Sequence, residues 1–231
     1  MATGNVRAVT TTEPANPWLS WDYVENNWPD ISEALAQHVS LTAQAVVIAF
    51  TIALPLAMLA HTRPRLAGPI LGLSGVLYTI PSLALFAILA PFTGIGRTTV
   101  LIGLVAYALL VLVRNILVGL QSVDPEIRDA ARGLGYGPTR VLVAVELPTA
   151  LPAIIVGLRL ATVTTVALVT IGVVVGFGGL GQLMFRGFTS NYRAEVMTAT
   201  LLCLAIALVA DLLLAVAGRL ATPWVRSRER A

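Results

Sequence analysis

Of the 231 residues, 57% are hydrophobic and 12% charged, and the mean hydropathy is +0.83. A soluble globular domain carries roughly 25% charged residues, so the composition excludes an ordinary water-soluble fold and indicates an integral membrane protein, whose apolar stretches, taken below, make it all-α. The net charge is +3, all 15 basic residues are Arg, and no nucleic-acid partner is expected.

Residues 1–16 read as a disordered tail. From 17 to 38, Trp18, Trp21, Tyr23 and Trp28 crowd eleven residues, and Asp30 with Glu33 forms a cap-like pair opening "DISEALAQHV". This pattern predicts a short helix lying in the membrane interface, anchored among lipid headgroups by an aromatic belt, with ligand binding by the aromatics as the alternative. No cleavable signal peptide is visible, because the first apolar segment starts near residue 39 and is too long for one.

A helix crossing about 30 Å of hydrocarbon needs roughly 20 apolar residues. Five stretches qualify: Val39–Ala60, Gly68–Pro91, Thr98–Leu120, Ala150–Gly176 and Val196–Gly218. No apolar/polar alternation of barrel type occurs, so the spans are expected to be helical. With the N-terminus outside, the segments 61–67, 121–149 and 219–231 face inward and hold nine arginines, against four in the outward segments. That imbalance predicts five spans, N-terminus outside and C-terminus cytoplasmic, with 39–218 as the transmembrane unit and 219–231 as an inner tail. His38 and His61 sit at opposite ends of the first span, so they cannot share a metal, and both are expected at interfaces. Cys203 is the sole cysteine and lies in an apolar run, which leaves neither a disulfide nor a metal site to expect.

Between the third and fourth spans lies "DPEIRDAARGLGYGPTRVLVAVELP", residues 124–148, with seven of the chain's 27 charges. Asp124 is a good N-cap, Pro125 suits the first helical position and Glu126 complements the dipole. The helix should reach about Leu134, with Gly133, Gly135 and Gly137 supplying a turn. Pro138 then starts a second short helix presenting Val141, Leu142 and Val145 on one face, and Pro148 is expected to end it. The segment is too polar to span and too ordered to be a linker. An amphipathic connector without further role is the plain alternative.

Asp129-Ala130-Ala131, three residues, Gly135, nine residues and then Val145-Glu146-Leu147-Pro148 resembles the EAA motif of ABC-importer permeases. Asp stands for the motif's Glu and Val for its Ile; the Gly and the Leu-Pro match. In that family the segment is a cytoplasmic coupling helix docking on the ATPase subunit. The resemblance therefore assigns docking to Glu126, Asp129, Ala130, Ala131, Gly135, Leu147 and Pro148, within a type I importer permease fold. "YTIPSLALFAILAPFTGIG" (78–96), "RNILVGLQSVDPEIRDAARGLG" (114–135) and "GFGGLGQLMFRGF" (176–188) are similar to permeases of osmoprotectant uptake systems, from about Trp21 to Gly218. The resemblance implies a bacterial inner-membrane subunit that moves glycine betaine, choline, carnitine or a similar quaternary amine by alternating access. Its implied partners are ATPase subunits, a second permease (a homodimer or a paralogous heterodimer) and an extracytoplasmic binding protein. The same machine for methionine or a sulfonate is the alternative.

The chain has no G-x-x-x-x-G-K-[ST] loop and no Lys, so it is not expected to be an enzyme or to hold a cofactor; ATP and Mg are expected on the partner ATPase. No catalytic constellation of an intramembrane enzyme is present, and no carbonyl-filter sequence of a channel. Tyr78, Phe86 and Tyr107 are in-span aromatics suited to a cationic solute or to plain helix packing. Pro81 can kink the second span where a gate would lie. Asp211 is the only carboxylate deep in a span; Arg159 and Arg114 are its candidate partners, in an ion pair steadying the gate or in contact with solute. "GFGGLG" is expected to form a flexible re-entrant turn beside the path.

Overall fold

A computed structural model describes residues 16–224; of the tail expected to be disordered, 1–15 lie outside them while Asn16 bonds Asn191 and Arg193, and of the expected inner tail 225–231 lie outside them. The described residues form helices joined by short turns, with no strand among them. In chain order these are α1 (Trp21–Asn26), α2 (Trp28–Thr62), α3 (Pro64–Thr79), α4 (Ser82–Thr93), α5 (Arg97–Gln121), α6 (Pro125–Gly133) and α7 (Pro138–Val141). After a π-helical turn (Leu142–Glu146) come α8 (Leu147–Val169), a 3₁₀ turn (Thr170–Val175), α9 (Leu180–Thr189) and α10 (Arg193–Ala221).

Four rods are long and apolar enough to cross a membrane: α2, α5, the continuous run Pro138–Val175 and α10. The expected second span is two helices, α3 and α4, meeting at 97°. Pro81 is the cause. The residue before a proline is driven out of the helical region, and Ile80 sits at φ −66, ψ 126. Such a break frees carbonyls that a membrane cannot solvate. Tyr107 on α5 answers this by donating its hydroxyl hydrogen to the Ile80 carbonyl.

Helix α2 departs from expectation. At 1.5 Å per residue its 35 residues measure about 52 Å, well beyond a bilayer's hydrocarbon. Of the region expected to hold an interfacial helix, Trp21–Asn26 forms the short α1, while the part from Trp28 is the N-terminal extension of the first span, since nothing between Pro29 and Pro55 breaks the helix. Asn27 is the N-cap, so Asp30 and Glu33 do not cap it. Along the rod Ala45, Ala49, Ala53 and Ala57 recur every fourth residue and are fully buried. That small-residue stripe lets α5 and α8 approach closely.

Helix α5 is central, with Val100, Leu104, Leu112, Val113, Ile116 and Leu120 buried around it. Helix α10 is peripheral and exposes Leu204, Leu208, Leu212 and Leu213, a face fit for lipid or another apolar helix.

Candidate functional site

At the foot of the bundle, α6 is built as its residues dictate. The Glu126 amide donates to Asp124 Oδ1 at 2.9 Å, Pro125 opens the helix, and Arg132 pairs with Asp129 at 3.2 Å. The helix ends in a glycine turn: Gly135 takes φ +85, and the Tyr136 amide donates to the Ala131 carbonyl at 3.1 Å. A Cβ at Gly135 would meet nothing within 4 Å, so glycine is required for the turn's left-handed backbone and not for close packing inside this chain. The Arg140 guanidinium stacks 4.0 Å from the Tyr136 ring centroid beyond it.

The faces of α6 follow from helical periodicity. Glu126, Asp129 and Ala130 point outward and are exposed, as are Gly135 and Pro148. Ala131 does not join them. It falls one turn after Ile127 and Arg128, on the inward face, and is buried against the stem, which corrects its assignment to a docking surface. Leu147 packs partly buried on the main core.

Pro148 does not end a short helix either. The rod runs unbroken from Pro138 to Val175. A proline in a regular α-helix clashes with the carbonyl four residues earlier. Here the preceding turn, Leu142–Glu146, widens to a π-helix and makes room for it. The Thr149 hydroxyl donates back to Val145 O at 2.7 Å, satisfying a carbonyl in the irregular turn.

Glu146 is the residue that motif reading passes over. It lies in the widened turn and is only 6% exposed. Its Oε1 is 2.8 Å from Arg128 Nε of α6, and its Oε2 is 3.1 Å from His61 Nε2 at the end of α2. The Arg128 Nε is out of line for a hydrogen bond, so that contact is ionic; the Arg128 Nη2 donates to Leu120 O at 2.9 Å. Thus His61, at the end of α2, is held against a buried carboxylate. The available signal was an acidic residue standing alone in the apolar run from Val141 to Pro148.

Within the bundle, Tyr107 is buried and meets Tyr78 edge-on at 5.8 Å, while Tyr78 is half-exposed. Phe86 is fully buried in a cluster with Leu41, Val100, Leu104 and Val169. Its role is packing, which corrects its expectation as a path-lining residue. Asp211 takes Arg159 as its partner in a two-pronged pair, Nε to Oδ1 at 2.8 Å and Nη2 to Oδ2 at 2.7 Å. Arg114 lies exposed on α5.

The opposite end is tightly made. "GFGGLG" is not a flexible turn: Gly176 and Gly179 take φ +76 and +53, and a Cβ at Gly179 would come 2.8 Å from His38 Cβ. The Gly179 amide donates to Gln37 Oε1 at 2.9 Å. His38 is therefore fully buried within the bundle, its Nε2 3.0 Å from Val166 O. Arg186 reaches Glu195 at 2.5 Å and Asp30 at 3.3 Å. Tyr23 leaves the expected aromatic belt to pack beside Tyr192 at 5.3 Å; burial, then the Glu195 charge, pushes its phenol up to about 12, so it stays neutral. Trp18, Trp21 and Trp28 remain exposed. A cleft of about 690 Å³ opens here, lined by Asp30, Glu33, Gln37, Gln182 and Arg186.

A bundle of long apolar helices with a capped polar helix projecting from one end defines a multi-pass membrane protein. The comparisons with known proteins place it further: residues 45–227 match the binding-protein-dependent transport system inner membrane component, and the chain belongs to that family. The carnitine transport permease protein OpuCD of Listeria monocytogenes is 32% identical over 209 residues, covering 90% of this chain and 94% of that one. The osmoprotectant import permease protein OsmW of Salmonella typhimurium is 38% identical over 198 residues, covering 83% and 92%. The MetNI methionine ABC transporter, crystallised inward-facing, contains a chain that superposes with TM-score 0.75 at 24% identity, covering 86% of this chain and 98% of that one. That likeness establishes the type I importer permease fold.

Proposed function

We propose that this chain is the transmembrane permease subunit of an ABC importer for a quaternary-amine osmoprotectant such as glycine betaine, choline or carnitine. The observation that carries the reading is the identity of 32–38%, over most of the chain, to permeases named for carnitine and osmoprotectant import. The methionine alternative draws on the MetNI likeness alone, which at 24% identity speaks to fold and not to solute.

In this reading the spans rock between outward- and inward-open states, driven by separate ATPase subunits that bind ATP and Mg. This chain is not itself an enzyme. Glu126, Asp129, Ala130, Gly135 and Pro148 present the docking face, while Leu147 supports it from behind. The arginine imbalance supports an N-terminus outside and α6 in the cytoplasm. An extracytoplasmic binding protein delivers solute at the α9 end, and a second permease completes the path. Tyr78, Tyr107 and the Pro81 break form the gate region, with the Arg159–Asp211 pair steadying it.

The test is ATP hydrolysis by the purified complex with its binding protein in lipid nanodiscs. Glycine betaine, choline or carnitine should stimulate it and methionine should not; stimulation by methionine alone selects the alternative. A cysteine at Ser190, with Cys203 replaced, should react with an impermeant thiol reagent from outside, and one at Thr139 only after lysis.

A further inference from the structure

We infer that Glu146 is the positioning residue that carries movement of α6 into the spans, and that its ion pair with Arg128 and its contact with His61 form the mechanical junction of the subunit. This rests on the proposed importer reading and deepens it. Helix α6 has nine residues and turns little apolar surface inward, chiefly Ala131 and the half-buried Ile127. Apolar burial alone holds so small a face weakly. Its firm inward attachments are those of Arg128, to Glu146 Oε1 and to the Leu120 carbonyl. Glu146 belongs to the rod that becomes α8, and its second oxygen lies against His61 at the end of α2.

One carboxylate thus touches the projecting helix and two spans at once. The geometry suits transmission for two reasons. Glu146 is buried, so loss of a partner is not made good by water and the contact cannot be exchanged for solvent. It also sits in a π-helical turn, where the backbone already departs from a regular α-helix and can adjust as α6 is pushed. The exposed Arg132–Asp129 pair has neither property.

The experiment compares the assembled complex carrying Glu146→Gln, Arg128→Gln, or both, in nanodiscs with binding protein and solute. Glu146→Gln keeps the side-chain volume and removes the charge. Expected results are parental membrane abundance, retained ATPase co-purification and retained basal hydrolysis. Solute-stimulated hydrolysis and uptake should fall roughly 5- to 150-fold, the span of typical coupling energies, with more ATP consumed per solute imported. The double variant should be no worse than the worse single. Parental uptake with a parental ATP-to-solute ratio would overturn the inference, as would additive losses. Loss of abundance or of co-purification would overturn it too, because it assigns Glu146 a role in assembly instead. Asp129→Arg, measured in parallel, tests the docking reading separately: if that variant stays assembled and transports normally, docking at α6 fails whatever Glu146 does.

Discussion

The two ends of the bundle use glycine for opposite purposes. At the α9 end, glycines are where chain meets chain: Gly178, Gly179 and Gly181 each face backbone that a Cβ would strike, with Val173 N only 2.5 Å from the Cβ position at Gly178. At the α6 end Gly133, Gly135 and Gly137 have nothing within 4 Å of a Cβ position. At one end the glycines are packed against their own chain; at the other they stand open. Spacing in the sequence shows both as glycine-rich; the difference lies in what comes near, which only the fold reveals.

The sharpest way to break this comparison is Gly181→Leu. The added carbons run into the Thr170 backbone, which cannot swing aside as a side chain does. Overpacking ordinarily costs about 1–3 kcal/mol, and this case belongs at or above the upper bound. Folded protein in detergent, measured by size-exclusion chromatography and thermal melting, should be lost. Equal recovery of variant and parent would mean that the α9 end is not closely packed.

Gly135→Leu should be milder for the fold and severe for function. Its φ of +85 implies strain on the order of 1 kcal/mol, with open space for the side chain. The melting temperature should drop slightly while ATPase co-purification and uptake disappear. Tyr107→Phe removes the one donor shown on the Ile80 carbonyl and should cost about 1–3 kcal/mol, seen as a lower melting temperature without loss of ATPase binding. Gly137→Ala is the smallest change. With φ −69 and no neighbour, it should shift stability by no more than about 0.5 kcal/mol and leave uptake unaltered.

Much of the architecture was legible because membrane helices announce themselves by length. The spans, the Asp124 cap, the Gly135 turn and the Arg159–Asp211 pair all follow from local chemistry or from the rarity of charge in apolar runs. What escaped depended on neighbours. Ala131 and Ala130 are the same residue in one motif, and only the phase of α6 turns one inward and the other outward. Phe86 looked like any in-span aromatic until Gly103 on α5, where a Cβ would overlap its ring, showed it wedged in the core. Pro148 carried a stop signal that the π-helical turn before it cancels. Glu146 was invisible as a site because its partners lie 18 and 85 positions away in the chain.

The Arg159–Asp211 pair also constrains how the chain is made. Asp211 lies ten residues before the end of α10 and Arg159 twelve after the start of α8, about 15–18 Å along each axis and within two apolar rods. At the centre of a membrane helix, either charge alone costs roughly 2.5–3.5 kcal/mol on insertion scales. During synthesis α8 emerges first, carrying an arginine whose carboxylate is still 52 residues from being made. Until the last helix is made, the fourth span carries that arginine without its carboxylate. Truncation before Asp211 should therefore destabilise α8 in the membrane as well as remove α10, seen as faster turnover of the shortened chain.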